Sequence, residues 1–367
     1  MKFRLQYRDS DGVATEALQL SSIKTLKTFS YSPSFVASSG LAYSYHSSDF
    51  TDSIITENGM SGYCSVEYWD GDAWVEGRNS TFVFDSVVRL ADGTVTLFYL
   101  GMDQVLAEAP IDASVLSGTI DGLGRLALAG DGRSKISTAV STSVDAPVTV
   151  TIDTAVYSSG SYTPPVSLPP TSSVLSLIRA YETFGVLCHY WDGFDLILYC
   201  RTVTDKGGTG VDGVPHLVKL GSSLAGPVVT DSFTSTSTAT SSGVRFSYTD
   251  SGSSESHTVT VSGGRPYSSL KALQAPESVH DGSTATAYAA WFEASGIEQP
   301  SDTAVLKCSF EVDGLTLSAY TLGSVYSVDG SELALSHVLF YLEEGLLSGL
   351  LVFGRYDASV AAMIALL

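Results

Sequence analysis

Ten Asp-Gly dipeptides punctuate the 367 residues: Asp11-Gly12, Asp70-Gly71, Asp92-Gly93, Asp121-Gly122, Asp131-Gly132, Asp192-Gly193, Asp212-Gly213, Asp281-Gly282, Asp313-Gly314 and Asp329-Gly330. Asp-Gly accepts positive φ at both central positions of a type I′ turn, and the twist of that turn matches the twist of paired strands. The stretches between are short and rich in Val, Thr, Tyr, Phe and Leu, the pattern of antiparallel strands joined tightly. Helical windows are few. Ser268–Gln274 suits two turns, and Asp357 suits a cap on Ala358–Leu367, which reads equally well as a last strand. The expected fold class is all-β.

The hairpins recur loosely. Leu41–Tyr45, Val95–Tyr99, Val186–Trp191 and Val244–Tyr248 are each an apolar strand with an aromatic end. With Leu126–Ala129, Ala287–Phe292 and Val338–Tyr341 counted among them, starts average roughly 50 residues apart, close to the ~40–50 residues of a four-stranded propeller blade. The expectation is one irregular β-propeller over residues 1–367 with six or seven blades. Residues 1–30, through the strand Lys2–Arg8, would close the ring against Leu346–Phe353 and hide the sheet edges. Residues 141–173 carry Pro164-Pro165 and Pro169-Pro170, which cannot donate to a ladder, and read as an inter-blade loop. Asp231–Gly243 is low-complexity and reads as an exposed outer strand or a loop. The alternative is two packed β-sandwich domains split near residue 165.

Composition excludes more than it assigns. Lys and Arg number 19 against 39 Asp and Glu, for a net charge of −20. Charged residues are 16% of the chain, against roughly 25% in an average domain, and the deficit is in bases. A grip on a nucleic-acid backbone needs clustered Lys and Arg, as does an anionic membrane surface. Sequence-specific nucleic-acid binding and membrane insertion are therefore not expected. Met1–Leu5 lacks the apolar core of a secretory signal, so synthesis in the cytoplasm is expected. The cysteines, Cys64, Cys188, Cys200 and Cys308, have no metal-type spacing and read as buried free thiols. With a turn at Asp192-Gly193, Cys188 and Cys200 fall on opposite faces of one hairpin and should not bridge.

Two hairpins share letters: Cys64-Ser-Val-Glu-Tyr68-Trp69-Asp70-Gly71 and Cys188-His189-Tyr190-Trp191-Asp192-Gly193. The hairpin series resembles the propellers of the sialidase-like and five-bladed glycosidase groups. Asp70-Gly71-Asp72-Ala73-Trp74 is similar to the tail of their Asp-box, although Tyr68 stands where the box has serine and Gly71 follows Asp70 directly. The resemblance implies the fold and carries over no catalytic residue.

Glycoside cleavage needs two carboxylates flanking a sugar, and the acids near aromatics are Glu67, Asp70, Glu182, Asp192 and Glu293. Tyr68, Trp69, Asp70, Tyr190, Trp191, Asp192, Trp291 and Glu293 are the candidate carbohydrate platform. Their bland alternative is turn acids and packing aromatics. No Gly-x-Ser-x-Gly elbow, His-Glu-x-x-His helix, Walker loop or EF-hand occurs, so no cofactor and no metal is expected. A chain this large, nearly all β and rich in Ser, Thr, Gly and Ala, without a definable active site, resembles bacteriophage tail structural proteins in style. That resemblance implies a ring, nozzle or receptor-facing plate in a virion, with other virion proteins and its own copies as partners. A polysaccharide-binding or glycoside-cleaving propeller, working extracellularly on a host-surface glycan, is the alternative.

Overall fold

The computed structural model describes residues 3–19, 25–31, 39–48, 55–69, 71–120, 124–128, 130–152, 166–182, 187–200, 216–218, 228–238, 243–250, 253–260, 271–275, 279–286, 289, 301–310, 325–328, 331–343 and 346–354. The chain is mostly β, as its turns demand.

The N-terminal region has seven strands: β1 Phe3–Arg8, β2 Ala14–Gln19, β3 Thr25–Tyr31, β4 Gly40–His46, β5 Tyr63–Trp69, β6 Trp74–Arg89 and β7 Thr94–Gly101. Alternate residues converge on one core of Leu5, Tyr7, Leu41, Tyr43, Tyr45, Cys64, Val66, Phe82, Val95, Leu97 and Tyr99, the period-two signature of a half-buried sheet. Four of these side chains are tyrosines. Three of the hydroxyls form a relay from Tyr7 to Tyr43 (2.9 Å), Tyr43 to Tyr99 (3.1 Å), and Tyr99 to the Gly59 carbonyl. Gly59 ends a π-helical turn, Ile55–Gly59. A Cβ there would lie 3.1 Å and 3.2 Å from the Tyr99 and Tyr43 hydroxyls, so glycine allows the relay its terminus.

A helical lobe follows. It comprises α1 Asp103–Glu108, β8 Thr119–Ile120, β9 Leu126–Leu128, α2 Gly132–Ser143, β10 Thr149–Ile152, β11 Val166–Leu168 and α3 Val174–Glu182. It packs against the hairpin β12 Leu187–Asp192 and β13 Asp195–Cys200. In α3, Val174, Leu177, Ile178 and Tyr181 are buried at i, i+3, i+4, i+7 spacing. Ile136, Ala139 and Val140 of α2 join them in an aliphatic core with Trp191, Leu196 and Leu198.

The remaining strands are β14 His216–Val218, β15 Val228–Thr238, β16 Gly243–Asp250, β17 Ser253–Thr260, β18 Lys271–Gln274, β19 Ser301–Phe310, β20 Val325–Val328, β21 Ser331–Glu343 and β22 Leu346–Gly354. β16, β17 and β18 form a separate three-stranded sheet with its own core of Val244, Phe246, Tyr248, Ala275, Val279 and Ala285.

The described strands do not divide into propeller blades. One hydrogen-bonded path runs β10-β13-β12-β6-β7-β4-β3-β21-β22-β19-β15, with β1, β2, β5, β14 and β20 branching from it. The cause is visible in β6, which is 16 residues long and pairs with β5, β7 and β12 along its length. Hairpin spacing reports where the chain turns, not which hairpins share a strand. Nor does residue 165 separate two sandwiches, because β9 pairs with β11, and β10 with β13, across it. β1 lies between β2 and β5. The N-terminal strand that meets the C-terminal part is β3, paired with β21. Of the expected loop at 141–173, the described part contains the end of α2, β10 and β11. Lys271–Gln274 is a strand parallel to β16 instead of a helix, while residues 357–367 lie outside the described residues. β15 is an outermost strand of the path, paired to β19.

The glycine of several Asp-Gly pairs takes the expected positive φ, with Gly12, Gly71, Gly93 and Gly193 at 77°, 119°, 86° and 59°, but Asp11, Asp92 and Asp192 do not, so these are not the type I′ turns expected. Two do something else. Asp131 caps α2, accepting from the Arg133 amide at 3.1 Å. Asp281 accepts from the Thr284 amide at 2.7 Å, at the start of a helical turn over 282–286. The short acceptor that favours a turn also satisfies the first amides of a helix.

Candidate functional site

The two Tyr-Trp-Asp-Gly hairpins are brought close but face differently. Trp69 pairs across β5–β6 with Trp74, the rings edge to face with centroids 5.5 Å apart, and both are half-buried. The Arg4 guanidinium lies over Trp74 at 4.6 Å. Tyr68 stands opposite Val75 in the ladder. By contrast Tyr190 and Trp191 are buried, Trp191 at 3% exposure. The Trp191 indole donates to Asp103 at 2.8 Å, and its backbone amide donates to the Asn79 side chain at 2.9 Å. Trp191 is therefore a core residue here, with no face to offer a sugar. Asp192 is exposed and sits opposite Asp195. The observed turn is Gly193-Phe194, so Cys188 faces Tyr199 and Cys200 faces Leu187, a two-residue shift from the expected register. Cys64 is a buried free thiol. Asp70, Trp291 and Glu293 lie outside the described residues.

Glu67 and Glu182, read as candidate acids, belong to separate ionic clusters. The first lies on the face of β1, β5 and β6 away from the tyrosines. Arg4 binds Glu67 at 2.7 Å, and Arg8 reaches both Glu67 (3.6 Å) and Glu76 (3.2 Å). Thr81 donates to Glu76 and contacts Ser65 at 3.2 Å. Burial raises the Glu76 pKa, partly opposed by Ser65 and Arg8. The tip of the β12–β13 hairpin covers this face: Phe194 packs edge-on against Tyr63 at 4.8 Å, under Arg8.

The second cluster ties three elements together. His189 on β12 is 2% exposed. Its Nδ1 meets Glu182 at 2.6 Å, at the end of α3, and its Nε2 meets Asp103 at 3.1 Å, at the start of α1. Arg179 bonds Asp103 at 3.2 Å and lies 3.9 Å from Glu182. Burial opposes a charge on His189, but the two carboxylates outweigh it and push its pKa up to about 10. Burial likewise opposes charge on Asp103, and His189, Trp191 and Arg179 together hold its carboxyl well below the usual range. Two cations and two anions balance. Held by a carboxylate at each ring nitrogen, His189 fastens β12 to the end of α3 and the start of α1. Asn79 completes the joint. Its φ of 53° is left-handed, and its side chain is engaged by Trp191. Asn79 and, two residues on, Thr81 are buried, with Ser80 between them half-buried.

None of this was legible as a motif, because Asp103 and His189 are 86 residues apart. Among the described residues, no group of three or more His, Cys, Asp or Glu side chains is placed to hold a metal, and no helix is long and apolar enough to cross a membrane.

Neither a known protein family nor a curated protein matches the sequence. The fold does have solved counterparts. A 43 kDa tail protein of prophage MuSo2 from Shewanella oneidensis is similar at a TM-score of 0.59 with 13% identity, over 97% of this chain and 98% of that one. A tail protein from Neisseria meningitidis MC58 gives 0.57 at 11% identity, over 97% of both chains. Prophage tail protein gp18 from Listeria monocytogenes EGD-e gives 0.50 at 9% identity, over 100% and 98%. The chain has the fold of phage tail proteins from end to end.

Proposed function

We propose that this chain is a structural component of a phage tail or tail-like particle, working in a ring, nozzle or receptor-facing plate. The observation that carries the reading is the end-to-end similarity to tail proteins over 97–98% of both chains. Its partners are other virion proteins and its own copies, and its place is the virion. The surface suits such a role. Among the described residues eleven carboxylates are exposed against two bases, Arg89 and Arg245. Such a surface repels a passing genome.

The test is the native assembly. Purified particles should contain the chain in fixed stoichiometry, and the isolated protein should form a closed oligomer or bind another tail protein. A monodisperse monomer, absent from particles and without affinity for tail proteins, would overturn the reading.

A glycan-contacting role is the second reading, favoured by the half-buried Trp69–Trp74 pair beside Arg4. Glycan-array binding that disappears in Trp74→Ala would support it. Binding unaffected by Trp69→Ala and Trp74→Ala would remove it.

A further inference from the structure

Antiparallel sheets with one wet face carry polar residues there. The β6–β7 hairpin breaks that rule. A bulge at Asp85 shifts the register between Phe84 and Ser86, so that Phe84 and Val87 both pack on the tyrosine core. Beyond the bulge, Val88 and Leu90 point outward, at 45% and 54% exposure. Phe98 on β7, opposite Ser86 and diagonal to Val88, is 38% exposed. The three form a continuous apolar strip, and neighbouring exposed apolar groups of this kind mark contact surfaces.

The flanks of the strip are acidic. Exposed Asp85 stands at one end and exposed Asp92 in the turn at the other. Elsewhere in the described structure Arg4, Arg8, Arg133 and Arg179 are each held by carboxylates, and the exposed arginines are Arg245 and, on this hairpin beside Val95, Arg89. A second copy of this chain would bring one acidic rim against another unless its few bases happened to meet it. Complementarity calls for a different surface.

We propose that the outer face of the β6–β7 hairpin docks a neighbouring virion protein whose contact surface is apolar at its centre and basic at its flanks. This rests on the tail-component reading. The apolar strip supplies the area removed from water, while Asp85 and Asp92 select the partner by charge.

Intact particles and the free protein would be compared in two ways. Hydrogen exchange should show residues 86–98 losing deuterium uptake in the particle. Zero-length carbodiimide coupling, which joins a carboxylate to an amine, should link Asp85 or Asp92 to a lysine of a different protein. Phe98→Asp, and independently Leu90→Asp at the more exposed position, should remain folded by circular dichroism and fail to enter particles. A chain present in particles with unchanged uptake at 86–98 would overturn the docking face. Links only to its own copies would overturn the basic partner. Normal incorporation of both folded variants would overturn the strip. A chain absent from particles would instead overturn the tail reading on which the proposal rests.

Discussion

The tyrosine-rich N-terminal sheet and the helical lobe solve the same problem with opposite chemistry. Each buries polar groups that must be paired. On its core face the sheet uses neutral hydroxyls passed from Tyr7 to Tyr43 to Tyr99 and on to a backbone carbonyl, and keeps its Arg4, Arg8, Glu67 and Glu76 cluster on the other face. The lobe uses full charges, with His189 between Asp103 and Glu182 and Arg179 completing the balance. A neutral relay loses about one hydrogen bond when a member is cut. A charged clamp leaves an uncompensated ion. The clamp in the lobe should therefore be brittle and the tyrosine core of the sheet tolerant.

Asp103→Ala is the strongest challenge to this contrast. It removes the acceptor of His189, Trp191 and Arg179 together, and should cost about 3–5 kcal/mol in denaturant unfolding. A loss below about 1 kcal/mol would place the clamp among weak surface pairs.

pH separates the regions next. His189 is held protonated up to about pH 10 in the fold, against 6.5 in an unfolded chain. Its contribution is thus complete below about 6.5 and lost as pH rises through about 10. Tyr7 and Tyr99, whose pKa values burial raises, begin to matter only above the ordinary tyrosine value of 10.0. Unfolding midpoints should fall across pH 6.5–10 in the native chain and stay flat in His189→Gln. An equal slope in both would detach the window from His189.

Tyr99→Phe keeps the ring packed against Phe84 and Tyr43 and deletes one hydroxyl. It leaves the Gly59 carbonyl without that donor, and a loss of about 1–3 kcal/mol is expected. A cost equal to that of Asp103→Ala would erase the distinction between the regions. The smallest effect belongs to the Asp131 cap of α2, where Asp131→Ala should cost about 1 kcal/mol. It should increase hydrogen exchange in the first turn of α2 while β1–β7 stay protected.

What the sequence discloses follows the range of each interaction. Strands and turns are local, and Gly12, Gly93 and Gly193 adopt the positive φ their dipeptides advertise. Asp131-Gly132 shows the limit: the same letters cap a helix when an apolar 3–4 spacing follows. The spacing of Val174, Leu177, Ile178 and Tyr181 was a helical signal in plain sight, obscured by β-branched and leucine-rich neighbours that suit a strand as well. Strand sharing by β6 and the meeting of Asp103 with His189 are products of topology, and no short window contains them. The Trp69 and Trp191 hairpins make the same point at the site. Their letters agree, yet one indole borders solvent and the other lies in the lobe core.

The last rung of the β15–β19 ladder pairs Thr238 with Ser301. Among the described residues between these two positions, the small sheet β16–β18 forms no ladder with the main path. Such an excursion can be lengthened, shortened or exchanged without retuning the register on either side. The frame is in that sense a socket, and the sheet β16–β18 is what it holds.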